Sequence, residues 1–413
     1  MEKINKLTFS FLFLIVSSYL IPTVSGIPHM PATVFYIPFW LFLLLISSTK
    51  MFFTKGFLLG YLFLIFHFIY LVLDFHPIDR NTNRYMIDEV LPILFSFSLF
   101  EYMQNSKRFN NYNRITNLVS VGTILTTITS GLSLKIHPSA ARALAGSLDS
   151  QELARLYYLI GIGGFYFYIY LALLSPIYIF VILRTKNKKV KIWSILIYIT
   201  TFYTILLSQY TASIMFFVIA SIATILYLKV KKIMPYLFVF MLSVFLFMNK
   251  EIVTNSIISI SNNIDLENVA VRLKNIAYTI EGSEKNQSEE DIKYSAAYDE
   301  LKDISINSFN ENILTGGGKI GDHVFWIDVL GNYGLIGLIP WLLLFYYLYK
   351  SRSKLFYGEF KGVYKIVLFC FVFTGFHKPI RSFSMLPFII FFIPVILLKV
   401  QNWMTTNKSF FKS

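Results

Sequence analysis

Residues 315–349 read TGGGKIGDHVFWIDVLGNYGLIGLIPWLLLFYYLY. Three successive glycines, a lysine, a fourth glycine and the pair Asp322-His323 stand at the mouth of an apolar run, 324–349. About 20 apolar residues suffice to cross a bilayer as a helix, so this run is long enough to span. The same ruler moved outward finds further runs at 7–24, 32–48, 56–74, 86–103, 116–133, 157–183, 192–208, 211–228, 233–249, 362–377 and 383–399. The chain therefore reads as an all-α polytopic membrane protein with about twelve transmembrane helices. The run at 86–103 is the weakest, because it carries Glu89, Pro92 and Glu101.

Composition agrees. Of 413 residues, 55% are hydrophobic and only 15% charged, and the mean hydropathy is +0.59, which leaves more apolar surface than a soluble fold can hide. A net charge of +14 would suit a nucleic-acid partner, but the basic residues lie in short clusters between apolar runs rather than on one polar face. That distribution excludes nucleic acid. The one cysteine, Cys370, sits inside an apolar run, so neither a disulfide framework nor a thiolate metal site is available. The start, MEKINK followed by apolar residues from Leu7, reads as an uncleaved first helix rather than a signal peptide.

With the first helix starting inside, the inner connections collect 23 of the 37 basic residues, among them the run RTKNKKVK at 184–191, while the short outer connections hold seven. An excess of Lys and Arg marks the cytoplasmic side, so both termini are expected in the cytoplasm. The one large loop, 250–322, then falls outside. It carries thirteen acidic and seven basic residues, a balance of −6 in a chain that is +20 elsewhere. Three regions follow: 1–249 with nine helices, the extracytoplasmic loop 250–322, and 323–413 with three more helices and a cytoplasmic tail. Within the loop, Leu266, Val269, Leu273, Ile276 and Ile280 recur at helical spacing between a capping Asp265 and a terminating Gly282. A second helix is expected near 291–304, both lying with apolar faces on the headgroup layer.

Ionisable groups inside or at the rim of a membrane are expensive, which makes each a functional candidate. His323 comes first. It follows glycines that permit close approach to a ligand, and an imidazole can act as a general base or, protonated, as a cation beside phosphate. An interfacial anchor is the equal alternative. GGGKIGDH lacks the spacing of a phosphate-binding P-loop and opens a membrane helix, so nucleotide binding is rejected. Gly331, Gly334 and Gly337 form a small-residue stripe on which another helix can pack. Asp328 and Asn332, one turn apart, need polar partners, for which interhelical hydrogen bonds are the better reading.

Four arginines fall on the outer side: Arg142 in HPSAARALAG, Arg155 in ELARLYY, Arg272 in the large loop, and Arg381 in HKPIR. Guanidinium groups bind phosphate bidentately and stay charged. Headgroup anchoring competes with that role on equal terms for Arg142 and Arg272. It is the better reading for Arg155 and for Arg381, although Arg381 stays among the diphosphate-binding candidates. No DxD or HExxH pattern occurs in the outer loops, so no metal site and no cofactor is expected.

The layout, with one large outer loop late in the chain ending in a glycine loop, a histidine and a span with a YG-apolar-apolar-G step, resembles the Wzy-type O-antigen and capsule polymerases. These share a superfamily with the O-antigen ligases. The stretch ILTGGGKIGDHVFWIDVLGNYGLIGLI, 313–339, carries the likeness, together with Arg142 and Arg272. Two departures stand out. In the ligases the histidine is followed by a polar residue, where this chain has Val324, which favours polymerase. Many members carry a Ser-Arg pair at the head of the span matching 211–228, where this chain reads SQYTAS.

The resemblance implies a GT-C-like fold in a bacterial inner membrane and an inverting, metal-independent glycosyltransferase whose donor is a glycan on undecaprenyl diphosphate. Arg142, Arg272 and Arg381 would receive the diphosphate, His323 would take the acceptor proton or bind the phosphate, and Asp322 would orient it. Partners would be the lipid-linked glycans, membrane lipids, a chain-length regulator and a flippase. Two other functions stay open: ligation of the same donor to another acceptor, and a polytopic transporter or flippase, which commonly has two similar halves.

Overall fold

The structure is a computed structural model that describes residues 2–26, 32–47, 49–73, 80–105, 111–138, 140–144, 151–230, 257–259, 261–263, 270, 274, 289–321, 324–376, 380 and 385–407. Regular structure among them is helical, with no strand. In chain order the helices are α1 (Glu2–Leu20), α2 (Pro22–Gly26), α3 (Ala32–Ser47), α4 (Lys55–Val72), α5 (Arg80–Asn105), α6 (Asn111–Ile136), α7 (Ala140–Ala143) and α8 (Gln151–Leu159). They continue with α9 (Phe165–Arg184), α10 (Lys188–Leu207), α11 (Thr211–Lys229), α12 (Glu289–Glu311), α13 (Phe325–Lys350), α14 (Glu359–Thr374) and α15 (Ile393–Thr406), the last preceded by a π-helical turn at Phe388–Phe392.

By length and composition, six helical segments among the described residues suffice to cross a membrane: Tyr112–Ile136, Phe165–Arg184, Lys188–Leu207, Ala212–Lys229, Phe325–Leu355, which is interrupted at Gly334, and Phe388–Thr406. Lys6–Leu20, Ile37–Ser47 and Lys55–Tyr70 are apolar but shorter. The expected run 233–249 and most of the first loop helix lie outside the described residues. The span expected at 157–183 begins later, at Phe165. The turn Gly161–Gly164 separates it from α8, and the Ser130 hydroxyl secures that turn by donating to the Gly161 carbonyl (2.8 Å) and accepting from Gly163 N–H (2.9 Å).

Side-chain contacts fix which helix ends lie together. At one end of the bundle, Arg184 of α9 forms a bidentate pair with Glu359 of α14 and reaches the Leu228 carbonyl of α11. At that same end Arg352, just beyond α13, pairs with Glu101 of α5 at 3.0 Å, and Gln401 of α15 bonds Leu355 and Tyr357. At the opposite end the Tyr210 hydroxyl, before α11, donates to the Ala141 carbonyl of α7. The ring of Phe165, opening α9, lies 4.6 Å from that of Tyr210. Basic residues crowd the first end: Lys186, Lys188, Lys189 and Lys191 are exposed beside the Arg184–Glu359 pair.

α4 runs antiparallel between α5 and α13. A Cβ on Gly56 would meet the Phe97 ring and one on Gly60 the Leu94 side chain, while the Phe63 ring lies 4.9 Å from Trp341. Missing side chains at 56 and 60 let the α4 and α5 backbones close together, as small residues do between membrane helices.

Candidate functional site

α13 is not one straight rod. Gly334 has φ +62° and ψ −158°, a conformation essentially reserved for glycine. Helical residues 16 apart are separated by about 24 Å, yet the Phe325 ring lies 4.7 Å from Trp341 and the Trp326 ring 5.7 Å from Phe345. Both contacts require the chain to double back at Gly334. A short arm, 325–333, therefore folds against a long arm, 335–350. The single continuous span expected over 324–349 is corrected accordingly.

Breaking a helix frees backbone groups, and buried ones must find partners. Here the glycine loop supplies them. The Gly331 carbonyl, which an unbroken helix would bond to Leu335, accepts from Gly317 N–H (3.1 Å), Gly318 N–H (3.3 Å) and the Ser308 hydroxyl (2.9 Å). In exchange, Leu335 N–H donates to Ile313 O (3.0 Å) and Ile336 N–H to Leu314 O (3.2 Å). Loop and break complete one another.

The lower part of the loop is held as firmly. Asp328, buried in the short arm, accepts from the Ser305 hydroxyl at 2.7 Å and from Val324 N–H at 3.1 Å. Ser305 in turn accepts from Gly321 N–H at 2.9 Å, and Ser308 from Lys319 N–H at 2.9 Å. A Cβ on Gly321 would stand 1.9 Å from the Leu301 carbonyl oxygen. The interhelical role expected for Asp328 is what the structure has, while Asn332 Nδ2, also buried, has no hydrogen-bond partner among the described residues. The stripe Gly331-Gly334-Gly337 receives another helix, as expected, at Gly331. Gly331 lets α12 approach, Gly334 breaks the helix, and Gly337 packs on Tyr333 of its own helix. α12 thus packs along α13 through Ser305 and Ser308.

Behind the break lies a cluster that the sequence reading left unassigned. His67 of α4, Glu89 of α5 and Tyr333 of α13 are all buried. His67 Nδ1 is 2.7 Å from the Phe63 carbonyl, an acceptor only, so Nδ1 carries a hydrogen. Nε2 then faces the Tyr333 hydroxyl at 3.0 Å and Glu89 Oε2 at 3.2 Å. The Tyr70 hydroxyl donates to the Tyr333 carbonyl at 2.6 Å, tying the cluster to the residue before the break. A histidine in the middle of the run 56–74, with a glutamate in a neighbouring run, was the available signal; pairing them needed the fold.

Of the residues proposed from sequence, Asp322, His323, Arg272 and Arg381 lie outside the described residues. Their neighbours Gly321 and Val324 are each anchored by the backbone hydrogen bonds above. Arg142 is carried by α7, whose Ala141 carbonyl is bonded to Tyr210 at the end of the bundle where the glycines of 316–318 meet α13. Arg155 lies on α8, half-buried. Comparison of the chain with protein-family profiles, characterised proteins and solved structures finds no match.

Proposed function

We propose that this chain is a polysaccharide polymerase of the Wzy type, a glycosyltransferase of the bacterial inner membrane with about twelve spans, a GT-C-like arrangement and both termini in the cytoplasm. The observation that carries this reading is the broken helix α13 with its interlocked glycine loop. Irregular backbone at membrane depth persists where it is buried in protein or lines a cavity, and here it fixes Gly321 and Val324, the neighbours of Asp322 and His323. A lipid-linked substrate needs such a site, fixed in geometry and reachable from the bilayer.

In the proposed reaction the bond between the anomeric carbon of the growing glycan and its diphosphate oxygen breaks. The acceptor hydroxyl of a new lipid-linked repeat unit bonds to that carbon from the opposite face, with inversion. Its proton passes to the His323 imidazole, which Asp322 orients. Undecaprenyl diphosphate leaves with the bonding electrons, its charge met by Arg142, Arg272 and Arg381. Guanidinium groups at these positions would supply the positive charge without a metal.

One observation favours a second reading, a transporter or flippase. Buried ionisable groups recur in membrane transport, as do interrupted helices, and this chain has both, the pair His67–Glu89 and the break at Gly334. Deletion of the gene separates the possibilities. Loss of a polymerase leaves single repeat units on the surface acceptor, loss of a flippase strands repeat units on the inner leaflet, and loss of a ligase leaves full-length polymer on its carrier. The first outcome is expected; either of the others overturns the reading.

A further inference from the structure

A cleft of about 340 Å³ opens between α6, α9, α10 and α15, towards the end of the bundle that carries the exposed lysines of 186–191. Its volume lies within the range of ligand-binding pockets, about 300–1,000 Å³. The walls are almost wholly apolar, with Ile177 of α9, Val190 and Ile197 of α10 and Ile396 of α15. Lys399 of α15 is the only charged residue in the lining, half-buried, and no carboxylate among the described residues pairs with it. Trp403, one turn further along α15, completes the wall. The hydroxyls of Ser120 and Thr123 bond their own helix at Thr116 and Val119, and that of Thr123 also meets the Tyr170 hydroxyl at 3.0 Å.

This side of the molecule is exposed and apolar, as a lipid-facing surface is. Only 17% of the α10 span is buried, and Ile192, Trp193, Leu196 and Ile199 are exposed along it. α10 starts where Asn187 caps it by accepting from Lys189 N–H (3.0 Å) and Val190 N–H (3.3 Å), and Lys188, Lys189 and Lys191, exposed, flank Val190 in that first turn. An apolar cleft on an exposed apolar face, with one lysine in its lining and the end of the bundle rich in exposed lysines nearby, matches a molecule with an aliphatic chain and an anionic head. Basic pockets between membrane helices bind acidic headgroups in this way, and a half-buried ammonium without a carboxylate calls for an anion.

We infer that the cleft is a binding site for an anionic glycerophospholipid, its phosphate on Lys399 and one acyl chain between α9 and α10. The site lies at the opposite end of the bundle from the glycine loop and is independent of the polymerase reading. The full-length protein is reconstituted in nanodiscs of mixed phosphatidylglycerol and phosphatidylcholine, and the retained lipid is identified by native mass spectrometry. Wild type is expected to retain phosphatidylglycerol roughly fivefold over its share of the bilayer, the weight of one lysine–phosphate contact. Lys399→Gln should lose that preference, and Ser194→Trp, which fills the cleft, should lose the lipid of either headgroup. Lys186→Gln, outside the cleft, should behave as wild type. An undiminished preference in Lys399→Gln, or absence of any retained lipid in wild type, overturns the site. Displacement of the phospholipid by added undecaprenyl phosphate would instead make the cleft a berth for carrier lipid and overturn the assignment of the occupant.

Discussion

The hydroxyl of Ser305 donates to Asp328 Oδ1 at 2.7 Å while accepting from the Gly321 N–H at 2.9 Å. One buried atom thus joins α12, the glycine loop and the short arm of α13. Its removal should be felt in all three.

Ser305→Ala leaves a buried carboxylate short of one bond and the half-buried Gly321 N–H without its partner. Each loss costs about 1–3 kcal/mol. The melting temperature in detergent should fall by several degrees and product formation should drop sharply, although the hydroxyl is assigned no contact with substrate. Asn307→Ala, on the exposed face of the same helix, should change neither.

Gly334→Ala tests the break in α13. The added methyl would stand 2.3 Å from the Leu314 carbonyl oxygen, at φ +62°. Strain of about 1–3 kcal/mol adds to that clash, so unfolding at a much lower temperature and loss of function are expected. Gly358→Ala has a similar φ of +56° but open space around the methyl, and should cost only the strain. Equal effects of the two on melting would show that the interlock with the loop contributes nothing.

Removing one member of the buried pair His67–Glu89 strands the other. His67→Leu and Glu89→Leu should each destabilise by about 3–5 kcal/mol, and the double variant by clearly less than their sum. A double-mutant cycle on thermal unfolding measures this. Glycan assembly at or near the wild-type level in the double variant would remove proton-coupled transport from consideration.

The two ion pairs at the basic end differ in depth. Arg352 and Glu101 have side chains 6% and 19% exposed, and the Arg352 guanidinium also lies 3.9 Å from the Phe100 ring centre. Arg184 and Glu359 are 25% and 44% exposed. Glu101→Gln should therefore lower the melting temperature markedly by leaving a buried guanidinium without its carboxylate. Glu359→Gln, whose pair is screened by solvent, should cost less than about 1 kcal/mol. The reverse order would contradict the packing described.

Hydropathy made the helical class legible, because a run of apolar residues of bilayer length has few other uses. The interhelical role of Asp328 was legible too, since a carboxylate in such a run needs a partner. What escaped reading was anything set by which helices touch. Gly334 looks the same in sequence whether it packs a neighbour or reverses the chain, and only the loop carbonyls of Ile313 and Leu314 decide between them. His67 and Glu89 stand 22 positions apart in different runs, so their meeting depends on the pairing of α4 with α5. The start of α9 was misplaced because tyrosines before Gly161 are apolar enough to extend the run, while Ser130, far away in sequence, secures the turn.

The central claim is that this chain joins lipid-linked repeat units with His323 as the proton acceptor. Purified protein in liposomes, supplied with undecaprenyl-diphosphate-linked repeat units and followed by gel separation of the glycans, tests it most directly. Wild type should give a ladder of lengthening products and His323→Ala only the starting unit. An unchanged ladder from the alanine variant, or none from wild type, would contradict the account.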